Sequence, residues 1–156
     1  MLAQSCQAVG GGDPSDGHLG DGNFRGTGKN FARSRVLVVD DEALIRWSVA
    51  ETLGSQNYEI KEAGDGAAAI RAVTPDGSRI DLVLLDLRLP DCDGLHVLTA
   101  IRRISPDTLV ILMTAFGSPE ILHEARRLGA FAIMDKPFEM EALPPLVARA
   151  LAARPH

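Results

Sequence analysis

Asp81-Leu82-Val83-Leu84-Leu85-Asp86-Leu87-Arg88-Leu89-Pro90-Asp91-Cys92-Asp93-Gly94 is the stretch on which the reading of this 156-residue chain turns. Leu82 to Leu85 is an apolar run of strand length, and Pro90 and Gly94 cut it off. A short run without polar interruption predicts a strand buried on both faces, the kind found in parallel sheets. Asp86 stands at its end. A carboxylate leaving a buried strand must meet water, a cation or a proton, so Asp86 is the reactive group expected here.

On the amino-terminal side, Val36-Leu37-Val38-Val39 repeats the buried-strand pattern and ends in Asp40-Asp41-Glu42. Ala43 to Leu53 reads as a helix, with Ile45, Val49 and Leu53 spaced by four and a stop at Gly54. Tyr58 to Glu62 reads as a less buried strand, and Asp65-Gly66 opens a helix through Val73. After the Asp86 strand come a helix from Leu95 to Ile104 and a strand from Leu109 to Met113, followed by Thr114. Ser118-Pro119 is a strong helix start, and that helix is expected to end at Gly129. A fifth strand, Phe131 to Met134, leads into Asp135-Lys136-Pro137 and a last helix to Ala153, in which Pro144 and Pro145 are tolerable only in the first turn. Strands alternating with helices predict an α/β fold: a five-stranded parallel sheet covered on both faces, with right-handed crossovers.

The strand ends carry the chemistry. Asp40 and Asp41 follow the first strand, Asp86 the third, Thr114 the fourth and Lys136 the fifth. Ligands of open parallel sheets bind beyond the carboxyl ends of the strands, where strand order reverses. Singly, a strand-end Asp is often a helix cap and a lone Thr or Lys is usually surface. At matching positions on four strands they predict one site. Crowded carboxylates need a counter-charge, and Mg²⁺ suits them, since it takes one or two carboxylates and leaves positions for phosphate oxygens. Thr114 adds a hydroxyl and Lys136 an ammonium. This set describes a phosphoryl acceptor with Asp86 as nucleophile, where positioning and neutralisation matter more than proton transfer.

Composition excludes several alternatives. A net charge of −5, with basic pairs no longer than Arg102-Arg103 and Arg126-Arg127, gives no nucleic-acid footprint. Cys6 and Cys92 form no CxxC pair, which argues against a disulfide framework or a cysteine metal site. No signal-peptide pattern and no run of the ~20 apolar residues a membrane span needs is present, so a cytoplasmic location is expected. Residues 1–34 read differently from the rest: eight of the fifteen glycines lie between Gly10 and Gly28, among Asp, Ser and Asn. Such a segment cannot bury enough surface to offset its chain entropy, and a flexible tail is expected, leaving 35–156 as the folded domain.

Val36-Leu37-Val38-Val39-Asp40-Asp41-Glu42, Asp86 through Gly94, Met113-Thr114-Ala115 and Lys136-Pro137-Phe138 together resemble the signature set of bacterial response-regulator receiver domains, over residues 35–153. Ile45-Arg46-Trp47 and Ala115-Phe116-Gly117 are most similar to receivers of nitrogen-regulation-type activators. The resemblance implies a flavodoxin-like three-layer sandwich with strand order 2-1-3-4-5. It also implies that Asp86 is phosphorylated by a sensor histidine kinase or a phosphotransfer protein. Mg²⁺ would be held by Asp41, Asp86 and the backbone carbonyl of Arg88, with Asp40 acting mostly through water, while Thr114 and Lys136 grip the phosphoryl oxygens. A cis Lys136–Pro137 peptide, a kinase-docking role for the first helix beside a half-exposed Trp47, a downstream protein target and room for a homodimer once phosphorylated complete the expectation. Neither nucleic acid nor membrane is an expected direct partner.

Two departures from the family pattern stand out. Receivers commonly carry an aromatic residue three before the lysine, whose inward swing couples to the threonine; this chain has Ile133 there. No output domain follows the last helix, which leaves a stand-alone receiver and a receiver fragment of a larger transcription regulator both open. Among other residues, Cys92 reads as an exposed thiol, His96 and His123 as solvated, and Arg88 as an influence on water access to a phosphoryl group. Of the rival readings, a haloacid-dehalogenase-like phosphatase lacks its DxD motif and cap, and an FMN binder lacks a phosphate loop. A constitutive interaction module whose switch is impaired at Ile133 is the alternative that stays open.

Overall fold

The Leu82–Asp86 run forms β3, the centre of the sheet, and every one of its residues is buried. The computed structural model describes residues 33–75 and 79–154. In chain order the elements are β1 (Arg35–Val39), α1 (Ala43–Gly54), β2 (Glu59–Ala63), α2 (Gly66–Val73), β3, α3 (Gly94–Ile104), β4 (Leu109–Thr114), α4 (Pro119–Arg127), β5 (Ala132–Asp135) and α5 (Leu143–Ala152). The five strands are all parallel and ordered β2-β1-β3-β4-β5, so the order reverses between β1 and β3. The expected fold class and strand order are those observed.

Strand alternation divides the apolar residues between two layers. Leu37, Val39, Val83, Leu85, Val110 and Leu112 face α2, α3 and α4, while Val36, Val38, Leu82, Leu84, Ile111 and Met113 face α1 and α5. Because successive side chains point to opposite faces, an unbroken apolar run is what a strand covered on both sides requires. Among the described residues, no helix is long and apolar enough to cross a membrane.

Element edges differ slightly from the sequence expectation. β2 and β5 each begin and end one residue later, and α4 stops at Arg127 rather than Gly129. Gly129 is instead the left-handed residue after the helix, at φ 103°, a conformation that suits glycine. Pro144 and Pro145 lie in the first turn of α5, which is led in by a 3₁₀ turn over Met140–Ala142. The Lys136–Pro137 peptide is cis. Of the expected tail, all but Arg33 and Ser34 lies outside the described residues; Ser34 already accepts a hydrogen bond from Glu59 at 2.9 Å.

Candidate functional site

Register places the site. Val39 pairs with Leu85, Asp86 with Met113, and Thr114 with Asp135. Asp40 therefore leaves β1 level with Asp86, Thr114 stands one step further at the end of β4, and Lys136 two steps further, just past the end of β5. The chain ends of β1, β3, β4 and β5 thus bring Asp40, Asp86, Thr114 and Lys136 to one edge beside the point where strand order reverses, and Asp41 joins them.

Oxygens of Asp40, Asp41 and Asp86 lie within 4.8 Å of one another. Lys136 Nζ sits between two of these groups, 2.7 Å from Asp40 Oδ2 and 3.3 Å from Asp86 Oδ2. Asp40 is wholly buried, and both of its oxygens are in use: Oδ1 accepts the Glu42 N–H at 2.9 Å and Oδ2 the Lys136 ammonium. Asp86 is also buried and accepts the Arg88 N–H at 3.2 Å. Asp41 is exposed. Buried carboxylates without an adjacent cation would be strongly disfavoured, and Lys136 is that cation.

Protonation follows from this arrangement. Burial pushes the Asp86 carboxyl above the usual carboxylate range; the Arg88 N–H pulls it down, the Asp40 charge raises it, and Lys136 lowers it. Burial works against the Lys136 charge, but the hydrogen bond to Asp40 and the charges of Asp40 and Asp86 outweigh it, holding the ammonium above its ordinary value. Thr114 is buried, and its Oγ1 accepts the Phe116 N–H at 3.2 Å.

The loop after β3 is held by its own chemistry. Gly94 N–H donates to the Leu87 carbonyl at 2.8 Å, and Arg88 and Asp93 form an isolated antiparallel bridge. A side chain at Gly94 would stand 2.6 Å from Leu87 Cα and 2.7 Å from the Asp86 carbonyl, so glycine is needed for the loop to close against the end of β3. Asp93 caps α3, and Asp91 reaches across to accept from Gly66 and Ala67 N–H at 2.8 and 3.0 Å, at the start of α2. Asp65, the residue just before α2, caps it by accepting from the Ala68 N–H.

Some residues correct or extend the sequence reading. Cys92 is half-buried, not the exposed thiol expected, because its Sγ packs where Gly66 leaves no Cβ. Burial pushes that thiol up, away from thiolate chemistry. Trp47 is 59% exposed, and Leu44 beside it on α1 is 71% exposed. His96 and His123 are exposed, as expected. Ile133 is half-buried and packs into the layer beneath α4. Arg46 escaped the reading: its guanidinium donates to the Asp40 carbonyl at 2.6 Å and pairs with Glu62 at 3.1 Å, tying α1 to the end of β1. Its place one turn after Glu42 was the available signal. Asp81 also escaped it, at the far edge of the sheet, where it accepts the Arg35 N–H and pairs with Arg154.

Three side-chain oxygens around one ion at 2.0–2.1 Å stand roughly 3–4 Å apart, close to the separation of the Asp40, Asp41 and Asp86 oxygens. A hard cation fits this donor set with small side-chain adjustments. Asp41 and Asp86 suit direct ligation, while Asp40 already has both oxygens engaged by the protein.

Residues 36–148 match the family model of the response regulator receiver domain. The chain belongs to that family. It is 35% identical over 109 residues to sporulation initiation phosphotransferase F of Bacillus subtilis, covering 70% of this chain and 86% of that protein. It is 34% identical over 121 residues to the DNA-binding transcriptional regulator NtrC of Azospirillum brasilense, covering 78% of this chain but only 25% of NtrC. Among solved structures, a CheY-like receiver domain protein from Methanospirillum hungatei superposes with a TM-score of 0.74 at 26% identity, over 78% of this chain and 95% of that one. This receiver domain is thus of the two-component signalling class, and the likeness to NtrC agrees with the nitrogen-regulation-type resemblance. Receiver domains take phosphoryl groups from histidine kinases or phosphotransfer proteins.

Proposed function

We propose that residues 35–156 act as a phosphoryl-operated switch in which Asp86 is the acceptor. The observation that carries this is the Lys136 ammonium held between buried Asp40 and Asp86, with Asp41 exposed at their side. An oxygen of Asp86 bonds to phosphorus as the bond to the donor imidazole nitrogen breaks, and the departing nitrogen keeps that electron pair. Asp86 acts as an ionised nucleophile and needs no base. Lys136 faces the developing charge on the phosphoryl oxygens, and Thr114 offers its hydroxyl to another. Asp41, Asp86 and the carbonyl of Arg88 would hold Mg²⁺, with Asp40 acting through water; when bound, the ion neutralises phosphate charge and orients the group.

The donor reaches Asp86 over the α1 side. Leu44 and Trp47 are exposed there, and a hollow of about 270 Å³ lined by Ile45, Ala115, Pro137, Phe138 and Met140 opens next to Lys136. These features support docking of a kinase or phosphotransfer helix. The chain's role is that of a signalling domain whose only chemistry is its own phosphorylation and dephosphorylation, acting on a protein target in the cytoplasm; a homodimer of the phosphorylated form is compatible with that role.

The test is phosphorylation by acetyl phosphate with Mg²⁺, read by intact mass on wild type and Asp86→Ala. One labile phosphate on wild type, missing from the variant and from EDTA-treated protein, is expected. A folded protein that takes no phosphate would instead favour the constitutive interaction module.

A further inference from the structure

We propose that Phe116 is the aromatic switch of this receiver, taking the part that Ile133 has no ring to play. The proposal rests on phosphorylation at Asp86. Phe116 is the most exposed large apolar side chain among the described residues, 74% exposed. A ring left in water forgoes the favourable free energy of apolar burial, and neighbouring groups fix it where it stands.

Two contacts do so. Phe116 N–H donates to Thr114 Oγ1 at 3.2 Å, and the Arg88 guanidinium lies over the ring, 5.6 Å from its centre. Both holding groups have a second use in the phosphorylated protein. The Thr114 hydroxyl turns to the phosphoryl oxygens. Only Ala115 separates Thr114 from Phe116, so the hydroxyl either drags the Phe116 N–H with it or releases it; in both cases the resting hold on residue 116 is lost. Arg88 is two residues from Asp86, and its backbone N–H already binds that carboxylate. A newly placed anion draws the guanidinium off the ring, because a charge-assisted hydrogen bond to phosphate is stronger than an exposed cation–π contact.

The ring has a place to go. A half-open cavity of about 380 Å³ adjoins Phe116, with an apolar wall of Leu87, Leu89, Leu95 and Ile121 and a polar side of Arg88, Asp93 and Thr114. Gly117 keeps the segment after Phe116 close to α4: a Cβ would stand 2.7 Å from Leu122 Cδ2 and 3.2 Å from Thr114 Cγ2. Ile121 belongs to α4, so a ring entering the cavity presses on that helix. α4 is lightly anchored, with Ala125 its single buried residue. Ile133, by contrast, is already packed beneath α4 and has nothing to swing.

The experiment places the only tryptophan at the switch, as Trp47→Phe with Phe116→Trp. Beryllofluoride with Mg²⁺ stands in for the phosphoryl group, and acetyl phosphate labelling of the same variant is followed by intact mass. The expected result is a blue shift of the emission and several-fold weaker acrylamide quenching on activation. Arg88→Ala added to this background is expected to shift the emission part-way without any activator. Labelling without change in emission or quenching would overturn the proposal while leaving phosphorylation at Asp86 standing; absence of labelling would remove both. Fluorine NMR of the otherwise native chain with 4-fluorophenylalanine, its Phe116 signal assigned by loss in Phe116→Leu, gives the same decision without enlarging the ring. A Phe116 resonance insensitive to beryllofluoride is the refuting outcome there.

Discussion

Replacing Asp86 by Asn should make the resting domain more stable, although it removes the proposed acceptor. The carboxylate stands 3.3 Å from Lys136 and has the oxygens of Asp40 and Asp41 within 4.8 Å. With an effective dielectric constant near 20, the attraction to Lys136 is about 5 kcal/mol, and a carboxylate at 4.8 Å repels by about 3.5 kcal/mol, less where it is exposed to water. Removing the charge therefore relieves at most about 2 kcal/mol of net repulsion, besides the larger effect of burial. Exposure of Asp41 weakens its share, and relief of burial adds to the rest. At roughly 4 °C per kcal/mol for a domain of this size, Tm should rise by about 4–8 °C at neutral pH without Mg²⁺.

The pH dependence has a definite sign. The folded Asp86 carboxyl is held above its ordinary value, chiefly by burial. Between the unfolded and folded values the native state binds the extra proton, so stability falls as pH rises through that window. Wild type bears this loss and Asp86→Asn does not, so their gap should be full above the folded value and close below about pH 3.9, where both side chains are neutral. Mg²⁺ should reverse the order, because it stabilises wild type by about 2.7 kcal/mol at a hundredfold excess over Kd and loses a ligand in the variant. Urea and thermal unfolding across pH, with and without Mg²⁺, would decide it. A variant less stable than wild type at pH 7 without Mg²⁺ would refute the charge-crowding argument.

Lys136→Met leaves two buried carboxylates facing each other and should cost roughly 3–5 kcal/mol in urea unfolding at pH 7. Because the folded ammonium lies above its ordinary value, wild type should keep this contribution at neutral pH and lose it as pH climbs past about 10.4 and through the folded value; a variant whose stability matches wild type at pH 7 would contradict the pairing. Asp91→Ala removes the acceptor for two N–H groups at the start of α2 and should lower stability by about 1 kcal/mol. Hydrogen bonding to Gly66 holds the Asp91 carboxyl below its ordinary value, so this difference should fade as acid protonates it, checked by unfolding at pH 7 and pH 3. Arg88→Ala should shorten the phosphoryl lifetime by about tenfold, the rate equivalent of one contact of about 1.4 kcal/mol; an unchanged decay of the Phos-tag band would exclude a protecting role.

Much of this molecule was legible because its signals are local. Val36–Val39, Leu82–Leu85 and Leu109–Met113 are apolar on both parities, which only a strand covered on two faces can use. Each ends one step from a polar residue, so the parallel register alone gathers Asp40, Asp86, Thr114 and Lys136. Helix starts were equally readable at Asp65 and Ser118, where the cap side chain and the amide it binds lie three residues apart. The displaced edges of β2, β5 and α4 follow from the opposite case, since at those ends backbone pairing, not side-chain pattern, sets the limit.

What stayed hidden depends on contacts between distant segments or on a side chain's choice among neighbours. Nothing in the spacing of Asp91 says that it caps α2 across 25 positions of sequence, or that Cys92 fills the space left by Gly66. Lys136 illustrates the second kind. A lysine at a strand end was expected to face the phosphoryl oxygens, yet in the resting domain it neutralises Asp40, 96 positions away in the sequence. In the proposed switch these two roles are successive states of one charge. Before phosphorylation the ammonium balances crowded carboxylates, and afterwards an incoming dianion competes for it. On the same proposal, competition for Thr114 and Arg88 links the site to Phe116, so that the exposed ring and the crowded carboxylates form one balance, which arrival of the phosphoryl group would upset.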